Sequence, residues 1–256
     1  MRSRPPLALL VPAAIGALLV VLPLVGLLSR TPWGRMADLL GHEQVRQALW
    51  LSVRCAFAAT VLSVVLGLPL AWALARTTLP GRRLLRGLVT VPLVLPPVVG
   101  GVALLLAFGR RGLLGPLLVE AGAVPAFTTA GVVLAETFVA LPFLVLSVEG
   151  ALQSLPTAPE DVAGSLGATP LRVFRTVTLP AVLPALASGA ALSAARALGE
   201  FGATTTFAGS LPGRTQTVPL AVYALLQDDP PAAYALSAVL LLVSVSLILV
   251  LRGRLR

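Results

Sequence analysis

Arg196 and Glu200 stand four residues apart inside an apolar run, a spacing that puts both on one helical face within reach of each other. Charge in such a run is costly and faces either a partner or a water-filled path. The pair can therefore be a structural ion pair or part of an anion route. The residues that follow suit an anion route: Gly202 offers pliable backbone, and Thr204 and Thr205 offer hydroxyl donors for brief contact with an oxyanion. Glu136 is a second acidic group in an apolar run, turned to a bundle interior or carrying protons. Further along, Thr157-Ala158-Pro159-Glu160 has the spacing of a helix-capping box, in which Glu160 reaches back to the cap. Gly167 offers a stop for that helix, and Thr169-Pro170 has the form of a second N-cap followed by proline at the first helical position.

Other chemistries are excluded by what is missing. All 19 basic residues are arginine. Without lysine there is no phosphate-binding G-x-x-x-x-G-K-[ST] loop and no Schiff-base catalysis. A single histidine, His42, cannot supply a multi-histidine metal site, and a single cysteine, Cys55, cannot close an internal disulfide. Asp228 and Asp229 are adjacent in a loop, so they do not form the separated dyad of an intramembrane protease.

These residues must be positioned by membrane helices. The chain is 57% hydrophobic and only 11% charged, with a mean hydropathy of +0.95. A soluble domain carries about 25% charged residues, so this chain has too little polar surface to cover a globule. Crossing a bilayer takes about 20 apolar residues. Six runs qualify: Leu7 to Leu28, roughly Ala48 to Ala75, Gly87 to Phe108, roughly Phe127 to Val148, Ala181 to about Ala208, and Ala232 to Leu251. The first outlasts the roughly 7–15 apolar residues of a signal peptide core, so it is expected to stay as a membrane helix. After Leu251 only Arg252 to Arg256 follow, so no C-terminal regulatory domain is expected.

Arginine placement orients the spans. With both termini inside, the inner segments hold Arg2, Arg4, Arg76, Arg82, Arg83, Arg86, Arg172, Arg175, Arg252, Arg254 and Arg256. The outer segments hold only Arg30, Arg35, Arg46, Arg110, Arg111 and Arg214. That bias favours cytoplasmic termini. It also accounts for the net charge of +9 through lipid headgroups, with no basic stripe for nucleic acid. The stretch Ser188 to Ala195 is dense in small residues, which let membrane helices pack backbone to backbone.

The order Glu160-Asp161-Val162-Ala163, then Gly167, then Leu179-Pro180 resembles the EAA loop of bacterial ABC importer permeases, with Val162 where alanine is usual. Arg196 to Thr204, Ala208-Gly209 and Pro212 to Tyr223, together with Val91 to Gly100, resemble the molybdate permease subunit of the type I ABC importers. The resemblance runs from about Trp50 to Arg252, and Ser210 replaces a common asparagine. It implies an all-α polytopic membrane protein with six transmembrane helices, the type I ABC importer transmembrane domain. Residues 1–30 would be an N-terminal helix and 46–252 the permease core, with the coupling loop at about 149–180.

In that family a short helix sits in a groove of a separate ATPase, a role that falls here on Glu160, Asp161, Val162, Ala163, Gly164, Ser165, Leu166 and Gly167. Small residues at Ala163, Gly164 and Gly167 would allow close approach, and Glu160 and Asp161 could pair with basic groups of the ATPase. The path or gate would involve Arg196, Glu200, Gly202, Thr204 and Thr205. The resemblance further implies a permease homodimer, two ABC ATPase subunits that bind ATP and Mg, and a periplasmic binding protein in the inner-membrane setting. The chain itself would hold no cofactor or metal and would be a transporter subunit, not an enzyme. Molybdate is the expected cargo, with tungstate or sulfate as alternatives. An ion-coupled transporter or channel is the rival mechanism.

Overall fold

The computed structural model describes residues 7–253, and these form helices and connections with no strand. Arg2, Arg4, Arg254 and Arg256 of the orientation argument lie outside the described residues. The helices are α1 (Leu7–Arg30), α2 (Met36–Gly41), α3 (Glu43–Arg76), α4 (Arg82–Val94), α5 (Pro97–Phe108), α6 (Gly115–Glu120) and α7 (Thr129–Ser154). They continue with α8 (Ala158–Ser165), α9 (Pro170–Val173), α10 (Leu179–Leu198), α11 (Gly202–Ala208), α12 (Val218–Asp228) and α13 (Pro230–Gly253).

The centre is α7. Thr128 caps it by accepting from the Gly131 amide at 3.2 Å. Val132, Ala135, Val139, Leu144, Val145, Val148 and Leu152 along it are all buried. It packs between α3 and α10, and small residues set the approach. A Cβ on Gly67 of α3 would lie 2.6 Å from Leu144 Cδ2, and one on Gly189 of α10 would lie 3.2 Å from Leu144 Cα. Four residues past Gly189, Ser193 Oγ donates to the Ala140 carbonyl at 2.9 Å. The small-residue stretch thus packs α10 on α7, as its composition suggested.

Two expected spans are broken. Among the described residues, four segments are long and apolar enough to cross a membrane: α1, α3, α7 and the continuous stretch 170–198. The run Gly87 to Phe108 is instead α4 and α5, separated at Leu95-Pro96. Pro96 gives no amide to the helix and holds Leu95 in extended backbone, at φ −62 and ψ 133. The fifth run begins earlier and stops earlier than expected. From Pro170, α9 passes through a π-turn at Phe174–Thr178 into α10 without interruption at Leu179-Pro180. The wider turn makes room for the Pro180 ring, which has no N–H to give. The chain then leaves the helix at Gly199 and restarts at Gly202 as the separate helix α11.

Candidate functional site

At one end of the bundle, called here the loop end, α3 and α7 finish and α4 and α10 begin. The connection across it carries α8. The backbone closes α8 with both bonds of a Schellman motif: Ala168 N–H donates to Ala163 O at 3.1 Å, and Gly167 N–H to Gly164 O at 2.9 Å. Gly167 takes the left-handed conformation this needs, at φ +84. The predicted stop is therefore present. The capping box is not, because Thr157 makes no side-chain cap. Thr169 makes none either, although Pro170 does open its helix.

Glu160 has turned to other partners. Its Oε2 lies 3.3 Å from Arg76 Nε, and its Oε1 accepts from Thr178 Oγ1 at 2.9 Å. The side chains of Arg76 and Glu160 are only 12% and 20% exposed. The charge meets an arginine of this same chain, which neither spacing nor composition reveals. Asp161, Val162, Gly164, Ser165, Leu166 and Gly167 are exposed, and Ala163 is half-buried. Leu166 is 83% exposed and Val162, one turn earlier, 59%. Two apolar side chains next to small residues and one carboxylate form a bare knob on a short helix, a shape suited to filling a groove in a partner.

The second expected cluster lies where α10 ends. Arg196 Nη2 meets Glu200 Oε2 at 2.5 Å. Glu200 is 1% exposed, and its Oε1 accepts from the Ala203 amide at 2.7 Å. The carboxylate thus braces the break between α10 and α11, serving the last turn of one and the first amides of the other. Gly202 and Thr204 are buried, while Thr205 is exposed and Arg196 half-buried. Gly202 faces α5: a Cβ there would lie 2.7 Å from Pro97 Cβ. A Cβ on Gly101 would likewise lie 2.6 Å from Thr206 Cβ. The two motif segments, around Pro96-Pro97 and around Gly199-Glu200, therefore interlock through paired glycines. In this conformation Gly202 serves that packing, Thr204 is buried with no hydrogen-bond partner for its hydroxyl among the described residues, and of the five expected residues only Arg196 and Thr205 present surface.

Glu136 lies inside the bundle at 1% exposure, and its Oε2 has no hydrogen-bond partner among the described residues. Sequence reasoning missed Arg76, counted as a headgroup contact, and Thr178. It also missed Arg86, which pairs with the buried Glu149, itself bonded to Gln153 Nε2 at 3.0 Å. At the opposite end the motif segment after α11 is tied to α3. Val218 N–H donates to Ser52 Oγ at 2.7 Å, and Gln44 Nε2 to Gln216 Oε1 at 3.0 Å.

A helical bundle around one buried span, with a bare short helix at its end, is the architecture of a type I ABC importer transmembrane domain. It superposes with a TM-score of 0.73 on a chain of the bacterial alginate ABC transporter crystallised with its alginate-bound periplasmic protein. That likeness covers 97% of this chain and 93% of the other at 18% identity. With the MetNI methionine ABC transporter the TM-score is 0.64 at 20% identity, covering 84% and 98%. Residues 63–254 match the family of binding-protein-dependent transport system inner membrane components, and the chain belongs to that family. It is a multi-pass membrane protein. It is 51% identical over 238 residues to the molybdenum transport system permease protein ModB of Mycobacterium tuberculosis, covering 93% of this chain and 90% of the relative. Identity to ModB of Escherichia coli K12 is 42% over 205 residues, covering 80% and 89%. The sulfate transport system permease protein CysT of Salmonella typhimurium is 38% identical over 235 residues, covering 90% and 85%.

Proposed function

We propose that this chain is the membrane-spanning permease subunit of an ATP-driven molybdate importer, and that α8 docks it to a separate ATPase. The cargo assignment is carried by the 51% identity to a molybdenum permease across nearly the whole chain. Sulfate is the second reading, favoured by the 38% identity to CysT. Tungstate shares the tetrahedral dianion chemistry.

Two copies pair about a two-fold axis, each engaging one ATPase subunit, and a periplasmic binding protein delivers the anion to the outer mouth. ATP and Mg bind to the ATPases. The loop end faces the cytoplasm, the side that the arginine bias favours, and so do both termini. The docking surface is the exposed part of α8: Asp161, Val162, Gly164, Ser165, Leu166 and Gly167, with Ala163 beneath. ATP binding draws the two ATPases together and moves both α8 helices. The bundle answers by opening the path outward, and hydrolysis resets it. The break at Gly199–Phe201, braced by Arg196 and Glu200, serves as the gate segment, with Thr205 presenting a hydroxyl, Gly202 holding α11 on α5 and Thr204 buried behind it. A permease binds its cargo only transiently, so exposed hydroxyls suit the path better than a fixed cage.

The test reconstitutes the chain with its ATPase and binding protein in proteoliposomes and measures uptake of labelled molybdate, tungstate and sulfate. ATP-dependent uptake of molybdate is expected. Uptake that persists without ATP and collapses with the proton gradient would establish an ion-coupled transporter instead. Docking is tested with Gly164→Trp. A Cβ at Gly164 meets nothing within 4 Å, so the bulk projects away from the chain's own atoms. The variant is expected to fold and to lose the co-purifying ATPase, and retained association would refute docking through α8.

A further inference from the structure

We infer that Arg76 is a positioning residue for energy coupling: through Glu160 it fastens α8 to the loop end of α3, so that a displacement imposed on α8 reaches α3 and α10 together. The inference rests on the reading of α8 as the ATPase dock, and adds how motion leaves that helix.

The starting point is how little else holds α8. Its main packing is with α9 and the π-turn, the segments that directly follow it in the chain. Its bare side faces outward through Asp161, Val162 and Leu166. Glu160 points the other way, into a junction of four elements. Its Oε2 sits 3.3 Å from Nε of Arg76, the last residue of α3. Its Oε1 accepts from Thr178 in the π-turn that opens into α10. Arg76 Nη2 also donates to the carbonyl of Leu155, the residue that closes α7, at 3.3 Å. One carboxylate and one guanidinium thus join the ends of α3 and α7 and the start of α10 to α8.

A second contact repeats the seam four residues away on both helical segments of the junction. Trp72 of α3 meets Phe174 of the π-turn edge to face, with ring centroids 6.2 Å apart. Arg76 follows Trp72 and Thr178 follows Phe174 by the same interval, so the aromatic pair and the ion pair stack along one line. The aromatic pair resists separation of α3 from the π-turn, and the ion pair extends that grip to α8. A partly buried guanidinium and carboxylate are strongly coupled, because removing one leaves the other charge without its partner. Pairing within the chain also assigns different duties to neighbouring acids. Asp161 is left to face the ATPase, and Glu160 is the internal strut.

The experiment uses the reconstituted complex and reads three quantities: ATPase co-purification, ATP hydrolysis stimulated by the loaded binding protein, and molybdate taken up per ATP. Arg76→Gln is expected to retain the ATPase and lower uptake per ATP by about fivefold or more, the scale of a coupling free energy between sites. Arg76→Lys should preserve most of the ratio, and the exchanged pair Arg76→Glu with Glu160→Arg should restore part of what either single exchange loses. Retained ATPase shows that Arg76→Gln has folded. An unchanged ratio in Arg76→Gln, or failure of the exchanged pair to recover anything, overturns the inference. Loss of ATPase from Arg76→Gln overturns it too, since the pair would then shape the dock instead of transmitting from it. Gly164→Trp separates the two readings. If Gly164→Trp keeps its ATPase, the docking site itself is wrong. If it sheds the ATPase while Arg76→Gln stays fully coupled, only the strut is wrong.

Discussion

A buried carboxylate is a structural commitment wherever its counter-charge is fixed, and Glu200 is the clearest case in this chain. Both its oxygens are occupied, one by Arg196 and one by the Ala203 amide. Arg196→Ala would leave the carboxylate buried without its cation, at a cost of about 3–5 kcal/mol. The expected result is a clear fall in the thermal unfolding midpoint of the detergent-purified chain. Adding Glu200→Gln to Arg196→Ala should recover part of the loss, because a neutral amide can still accept from Ala203 and carries no charge to bury. If Arg196 acts chiefly on the anion, Arg196→Ala would instead reduce transport and leave the midpoint in place. The exposure of Arg196, at 26% of its side chain, leaves room for contact with cargo, whereas Glu200 at 1% has none.

At the scale of elements, α8 shows how a short helix can be stable with almost no buried surface. It depends on its C-terminal closure, and Gly167 supplies the left-handed residue for it. Gly167→Ala introduces a Cβ at φ +84, a conformation that costs an L residue roughly 1–2 kcal/mol. Faster hydrogen exchange at the amides of Gly167 and Ala168 is expected, with the exchange of α7 unchanged. Gly164→Ala, inside the helix, should slow exchange. This closure was legible in the sequence because a glycine at the end of a short helical run has a local cause. So was the Arg196–Glu200 pair, whose spacing is one helical turn. The breaks at Leu95-Pro96 and Gly199–Phe201 were not read, because hydropathy is blind to a helix that stops and restarts within apolar residues. Likewise Arg76 and Thr178 reach Glu160 from 84 and 18 residues away, given by the Glu160 position and theirs. Nothing local in α3 records that Arg76 ends beside α8. Thr157 followed by Glu160 satisfied a local rule, and a stronger charge partner from α3 overrode it.

The whole molecule has two chemically different ends, and their separation by α3, α7 and α10 makes sidedness testable. One end gathers Arg76, Arg86, Glu149 and Glu160 around the start of α10. The other gathers the segment from Ser210 to Val218 against Ser52 and Gln44 near the start of α3. Gln44 and Ser52 stand 32 and 24 residues before Arg76 on α3, about 48 and 36 Å at 1.5 Å per residue, more than the roughly 30 Å hydrocarbon core that α3 would cross, which puts the two ends on opposite faces. Ser165 on α8 and Leu211 in the opposite loop are both exposed, and Cys55 is buried at 1%, so the native thiol gives little background. Ser165→Cys and Leu211→Cys, each made singly, can be treated with an impermeant maleimide in right-side-out and inverted vesicles. Leu211→Cys should label from outside only, and Ser165→Cys from inside only. Swapped labelling would place α8 beyond the reach of a cytoplasmic ATPase and would refute both the orientation and the docking role. Protection of Ser165→Cys by bound ATPase, with Leu211→Cys unaffected, would tie sidedness to function in one measurement, because only a partner seated on α8 shields that end alone.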